Sequence, residues 1–376
     1  MIHTQFSSNE LSMLGMGFMR LPFKNGNYAD VDFEKSEQLI HHAIEKGINY
    51  FDTAWEYAGS NSEVILGNTL KKYPRSSFYI ATKFPGYDLY NFDKAEEIFD
   101  KQLERLQTDY IDFYLLHNVC ELNLDHYLNT KKYGIVEMLL EKKRNGQIKH
   151  LGFSTHARPK ALKSFLNIYG NDMEFAQIQL NYLDWEFQSA KKKVEILKDY
   201  NLPIWVMEPL RGGSLCRFDK QIEEKMLNTA KGNSISSWSF RFLQGIPEVT
   251  LILSGMSTIE QIDENTKCFE LRSPLSSSEQ KVLNEVVDKL LSKKIVPCTK
   301  CKYCIEHCSM DLDIPRFVEM FNEQTYSNGG FIVPMELEAM DEQKLPSNCI
   351  HCKKCEKVCP QNIKITKIND ELSKLL

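Results

Sequence analysis

The chain has 376 residues, 42% of them hydrophobic and 26% charged, enough for one large core with a smaller module beside it. A net charge of −5, with lysines scattered among acids and no basic tract, argues against a nucleic-acid partner. No apolar run nears the ~20 residues that cross a bilayer, and the first fourteen residues lack the basic start and apolar stretch of a secretory signal, so the expectation is a cytoplasmic protein with no membrane partner.

From about residue 11 to residue 270, short apolar runs alternate with helix-period segments. The runs fall at 11–19, 48–54, 78–84, 111–117, 148–154, 175–181, 203–210 and 249–255. Helical segments between them include 33–46, 94–106, 136–145, 161–169, 191–200 and 259–269. Two of these stop at a glycine, Gly47 and Gly146, a common way for a helix to end. Eight buried strands, each leading into a helix, predict an α/β fold of the (β/α)8 TIM-barrel type. An open doubly wound sheet is the alternative, but it opens with a Gly-rich phosphate turn. Leu14-Gly15-Met16-Gly17-Phe18 lacks both the third glycine and a following helix.

Ser276 to Glu279 reads as a capping box that opens a helix running to about Lys293. Composition then changes abruptly at Pro297 and Cys298. The predicted division is a barrel over 1–290 and a smaller, mostly helical domain over 291–376, with a helix at 315–326 and a loop at Asn328-Gly329-Gly330.

Eight of the eleven cysteines crowd into the last fifth of the chain. They form Cys298-x2-Cys301-x2-Cys304-x3-Cys308 and Cys349-x2-Cys352-x2-Cys355-x3-Cys359-Pro360. Three cysteines at two-residue intervals can hold three corners of a cubane, while the fourth turns toward the neighbouring cluster. The spacing therefore predicts two 4Fe–4S clusters, one on Cys298, Cys301, Cys304 and Cys359, the other on Cys349, Cys352, Cys355 and Cys308. Zinc also takes four thiolates, but its motifs usually present two separated Cys-x2-Cys pairs rather than a repeated quartet. Ser309 stands where a proline often follows the fourth cysteine. Cys120, Cys216 and Cys268 stand alone and read as packed or incidental thiols.

A second group of residues sits where the predicted strands end. Asp52 and Tyr57 follow the second run, Lys83 lies at the end of the third, and His117 ends the fourth. Taken singly, Asp52 reads as a helix cap, Lys83 as a surface end and His117 as a core histidine. Together at the C-terminal ends of barrel strands they converge on the face where barrel enzymes keep their sites. A phenol titrates at ~10. A lysine cation beside it lowers that value, and a carboxylate keeps the lysine charged and fixed. Tyr57 can then give a proton to a carbonyl oxygen while His117 holds and polarises it. Trp55, Tyr87 and Asn118 lie beside these residues and either line an aromatic pocket or simply pack the loops. Cys120 is near His117 in sequence and reads as unreactive.

Asp52, Tyr57, Lys83 and His117 resemble the catalytic tetrad of the aldo-keto reductases, and the likeness runs over roughly residues 10–290. Gly15-Met16-Gly17-Phe18-Met19-Arg20-Leu21-Pro22 resembles that family's first strand end. Gly152-Phe153-Ser154 and Gln179 resemble its contacts to the nicotinamide amide. The stretch Pro209-Leu210-Arg211-Gly212-Gly213 resembles its pyrophosphate loop. Gly255, Met256 and Ser257 with Gln261, Glu264 and Asn265 resemble its adenosine-phosphate segment. The whole chain is similar to the branch fused to a ferredoxin domain with two 4Fe–4S clusters. The resemblance implies an oxidoreductase that reduces a small aldehyde or ketone with NADP or NAD. Met207 stands where many members place an aromatic against the nicotinamide. Gln261 stands where many have an arginine for the 2′-phosphate, which leaves the choice of NADPH or NADH open.

The two regions deliver electrons differently: a nicotinamide passes a hydride, a cluster one electron, and flavin is the usual adapter. Three readings follow. The barrel is an NAD(P)H-linked carbonyl reductase whose clusters serve a redox protein partner or a structural role; or a ferredoxin-linked oxidoreductase whose barrel binds flavin or receives electrons through another carrier; or a non-enzymatic sensing or interaction barrel. The tetrad argues against the third, since a binding module needs no tyrosine beside a lysine; the first is the reading adopted, and a flavin spectrum separates it from the second.

Overall fold

A computed structural model describes residues 1–24, 27–292 and 295–376. It divides into two compact units, Met1–Leu283 and Asn284–Leu376. The helix opened by the capping box spans Ser277–Ser292, and its expected end at Lys293 lies outside the described residues. Ser276 donates its N–H and its hydroxyl to Glu279, which also pairs with Arg241 at 2.6 Å, so the cap is tied to the barrel.

The first unit is a closed parallel barrel preceded by a hairpin of β1 (His3–Phe6) and β2 (Asn9–Ser12). Its staves are β3 (Leu14–Gly17), β4 (Tyr50–Asp52), β5 (Tyr79–Phe84), β6 (Ile111–Leu116), β7 (Ile148–Thr155), β8 (Ala176–Gln179), β9 (Ile204–Met207) and β10 (Val249–Ser254). They are hydrogen-bonded in sequence order, and β10 closes on β3 through Leu253 opposite Gly15. Each predicted run holds one stave, with β7 alone running one residue past its run, to Thr155. The first also takes in the end of the hairpin, because Leu11 and Phe6 belong to the packing inside the barrel. There Tyr50, Phe113, Phe175 and Trp205 fill the interior, and the Phe6 ring stands edge-on to Trp205 at 4.9 Å. One end of the barrel is thus plugged by aromatic rings, while the strands' other ends carry polar residues.

Outside the staves, helices bury the second face of each strand in a separate apolar layer. The helix Ser62–Leu70 has no amphipathic stripe because seven of its nine residues are buried. Gly67 lets it approach the helix Ala95–Leu106: a Cβ there would lie 2.4 Å from the Arg105 carbonyl oxygen and 2.7 Å from the backbone of Leu106.

In the second unit every regular element among the described residues is a helix. Ile314–Ser327 opens six residues after Cys308, and Ile365–Ser373 opens six residues after Cys359, so each quartet leads into a helix at the same offset. Phe317, Val318, Ile365, Ile368 and Leu372 form a core that includes Cys304 and Cys355. Among the described residues, no helix is long and apolar enough to cross a membrane.

Gly67→Ala forces the two helices apart and should lower the stability of the barrel by about 1–3 kcal/mol, the usual cost of overpacking. A fall in the thermal midpoint checks it.

Candidate active site

At the open end of the barrel, Asp52 is the last residue of β4 and Lys83 the penultimate residue of β5. The Lys83 Nζ lies 2.6 Å from Asp52 Oδ1 and 2.7 Å from the carbonyl of Thr53, with the side chain 0% exposed. Burial pulls the lysine down and pushes the aspartate up, and the attraction between them opposes both shifts. The second carboxylate oxygen of Asp52 has no hydrogen-bond partner among the described residues.

Tyr57 follows β4 on a loop that brings its ring to 5.0 Å from the Lys83 ammonium. His117, directly after β6, meets the Tyr57 ring edge-on at 5.8 Å and the Tyr87 ring at 5.0 Å. The four tetrad residues are therefore brought together. One expectation is overturned: the Tyr57 phenol is pushed well above its ordinary value, first by burial and then by the Asp52 charge, rather than lowered by Lys83. The loss of solvent is the larger effect on the phenol, and the Asp52 charge works against the attraction of the Lys83 cation. His117 is driven well below its ordinary value by burial and by the Lys83 charge. At neutral pH the site thus holds a protonated phenol beside a neutral imidazole.

Behind Lys83 lies a buried polar network that the sequence does not announce. Glu63, on the helix Ser62–Leu70, accepts from Thr82 at 2.6 Å and from Gln102 at 2.8 Å. Gln102 also donates to the Lys83 carbonyl at 3.0 Å and accepts from the Tyr114 hydroxyl at 2.6 Å. Arg105 pairs with Glu63 at 3.2 Å, donates to the Trp55 carbonyl at 3.1 Å and stacks 3.8 Å over the Trp55 ring. Burial pushes the Glu63 carboxyl up, and these donors oppose it. Arg105 and Glu63 thereby fix the loop that carries Tyr57. In sequence these residues look like ordinary solvent-facing helix positions.

The remaining predicted residues lie around the same rim. Ser154 accepts the Asn118 N–H at 2.8 Å, and Asn118 accepts from the His156 N–H at 3.2 Å. Gln179, ending β8, donates to Asp184 at 2.8 Å, and Asp184 also takes Asn181 at 2.7 Å and Arg211 at 3.1 Å. Met207 ends β9, with Gln177 3.8 Å from its sulfur. Pro209 accepts from Ser239, and Leu210 leads into exposed Gly212 and Gly213, which hold φ of 66° and 92°. Met19 and Arg20 are exposed; a Cβ on Gly212 would meet the Arg20 guanidinium at 2.9 Å, and one on Gly255 would meet its stem at 3.5 Å. Ser257 donates its hydroxyl to the Arg20 carbonyl at 2.5 Å and its N–H to Gln261 at 2.7 Å. Glu264 accepts from Ser236 at 2.5 Å, Asn265 donates to Ser254 at 3.2 Å, and Met256 is buried in the outer apolar layer. Cys120 is buried, with its N–H on Asn123.

In the second unit, two clefts partly open to solvent divide the eight cysteines. One is lined by Cys308, Cys349, Cys352 and Cys355, the other by Cys298, Cys301, Cys304 and Cys359. Burial and the neighbouring thiols push Cys304 up to about 11 and Cys355 up to about 12. Thiols so placed ionise only against compensating positive charge, which suits iron as their partner.

A family model described as Aldo/keto reductase family matches residues 13–288, and one described as 4Fe-4S dicluster domain matches 297–363. The chain is 27% identical to the uncharacterized oxidoreductase YqkF of Bacillus subtilis, over 74% of this chain and 93% of that one. It is 26% identical to the NADH-specific methylglyoxal reductase of Escherichia coli, over 74% and 96%. The fold is that of the aldo-keto reductase AKR11C1 from Bacillus halodurans in its holo form, with a TM-score of 0.62 at 23% identity over 76% of this chain and 96% of the other.

Arg105→Leu leaves the Glu63 carboxylate buried without its cation and should cost about 3–5 kcal/mol. Adding Glu63→Gln should recover part of that loss in denaturant unfolding, because the uncompensated charge is then gone.

Proposed function

The chain belongs to the aldo/keto reductase family, and from that premise we propose that it reduces a small aldehyde or ketone with NAD(P)H, Tyr57 giving the proton. The observation that carries this is the Tyr57 ring 5.0 Å from the ammonium of the buried Lys83–Asp52 pair and edge-on to His117 at 5.8 Å. Bound nicotinamide would supply the hydride to the carbonyl carbon. Tyr57 donates its O–H proton to the carbonyl oxygen, so hydride and proton together give the alcohol. His117 stays neutral and positions that oxygen by hydrogen bonding. Lys83 stabilises the phenolate that remains, and Asp52 keeps the lysine in place and charged.

Ser154 and Gln179 would hold the nicotinamide amide, with Met207 against the ring. Pro209, Leu210, Gly212 and Gly213 would pass the pyrophosphate, and the exposed glycines leave room for it. Met19, Arg20, Gly255, Met256, Ser257, Gln261, Glu264 and Asn265 would frame the adenosine end. Gln261 brings no cation for a 2′-phosphate, and its carbonyl is already engaged by Ser257. Similarity to an NADH-specific methylglyoxal reductase makes NADH and a small 2-oxoaldehyde the first pair to assay.

In the second unit, the partition of the cysteines between two clefts supports two 4Fe–4S clusters, each taking its fourth ligand from the other motif. They would form an electron-transfer module for a redox protein partner. Because hydride reduction alone needs no cluster, the dicluster domain favours one alternative, a ferredoxin-linked oxidoreductase whose barrel also binds flavin. A flavin band near about 450 nm that survives denaturation, while cluster absorbance bleaches, marks that alternative.

Tyr57→Phe should lower kcat for carbonyl reduction by about a hundred- to ten-thousandfold, with the affinity for NAD(P)H retained in a fluorescence titration. Full turnover by this variant removes Tyr57 from the proton step. Cys352→Ser should lose about one cluster's iron, four atoms per chain, and an unchanged iron assay refutes that ligand set.

A further inference from the structure

The two cysteine clefts differ at their mouths. Ile350, between Cys349 and Cys352, lines the first cleft yet is 59% exposed. Lys353 lines it as well, and Lys354 reaches Ser309, another lining residue, at 3.3 Å. Residues 349–367 hold five exposed lysines, at 353, 354, 357, 364 and 367, and a single acid, Glu356. That acid is turned to Thr366, accepting from its N–H at 2.9 Å and its hydroxyl at 2.8 Å. None of the five lysines has an ion-pair partner among the described residues, and two acids just beyond them are already matched: Asp370 with His351 at 3.1 Å and Glu371 with Lys374 at 2.8 Å. At the second cleft Lys300 is paired with Glu319 at 2.6 Å, and Thr299 occupies the place that Ile350 takes in the other motif.

We propose that the mouth around Ile350 is the docking face for an acidic one-electron carrier protein, with Ile350 as its apolar centre and Lys353 and Lys354 as its cationic rim. The proposal rests on the cluster reading above. Transient redox complexes use small interfaces and rely on opposite charge to find register. Thiolate charge alone explains lysines at both clefts, but it does not call for an exposed isoleucine at one of them. One electron leaves the carrier, which is oxidised, and reduces the cluster behind Cys352; no bond forms or breaks and no proton moves.

The test uses the anaerobically purified full-length protein, an acidic 2Fe–2S ferredoxin as probe and a basic c-type cytochrome as control. Binding of the oxidised ferredoxin, followed by calorimetry, should weaken as salt rises, and Lys353→Glu with Lys354→Glu should weaken it by about tenfold or more. Iron content and reduction by dithionite should be unchanged in that variant. Lys302→Glu, at the other cleft, should bind as the parent does. Binding indifferent to the double reversal, an equal loss in Lys302→Glu, or a preference for the cytochrome overturns the docking face. Should the double reversal lose iron, Lys353→Gln with Lys354→Gln must weaken binding in the same direction at full iron. An iron-free parent protein overturns the cluster reading together with the proposal, whereas normal iron with unaltered binding overturns the docking face alone.

Discussion

Lys83 and Asp52 sit where water cannot reach them, and the rest of the barrel's open end is arranged so that they can stay there. Removing two charges from solvent costs several kcal/mol for each, and mutual attraction recovers this only if the remaining donors are satisfied. Lys83 meets that condition with Asp52 and the Thr53 carbonyl. Its own carbonyl is held by Gln102, which in turn belongs to the Glu63 network that grips the Trp55 loop. One buried pair and one buried network therefore fix the strand end, the loop and the phenol above them. An apolar pair of the same volume would suit the fold as well and would leave nothing to stabilise a phenolate.

The barrel is legible in the sequence because each stave is buried on both faces and so appears as an apolar run; each of the eight runs holds one, β7 to within a residue. The hairpin is not, since β1 and β2 are short and mostly polar, and their few apolar residues, Phe6 and Leu11, act only once the barrel bottom exists to receive them. Asp52, Lys83 and His117 can be found because strand ends are countable in sequence. Glu63, Gln102 and Arg105 cannot, because their meaning comes from helices packed closely through Gly67. The direction of the Tyr57 shift escapes the sequence for a related reason. Charge neighbours can be guessed from a motif, but the depth at which they are buried cannot.

The family assignment of the barrel and the dicluster match of the second unit place two modes of electron delivery in one chain. The barrel's polar residues are gathered at one end around a buried ion pair, and none of them is a thiol. The second unit is built differently: a small helical core, thiols whose burial resists ionisation, and exposed lysines crowded on one segment. The two units thus differ in chemistry as sharply as in fold, one built around a buried ion pair and the other around clustered thiols.

The crossed arrangement of the cysteines also bears on how the chain is made. Each cleft is walled by both motifs, one taking Cys359 from the last and the other Cys308 from the first. All eight barrel staves are complete by Ser254, so that unit can close while later residues are still being synthesised. The cleft that takes Cys308 lacks its other cysteines until residue 355 has been made, and the one built on the first motif lacks Cys359 for four residues more. Both sets of cysteines therefore come together only near the end of synthesis, although the first motif is made some forty residues earlier.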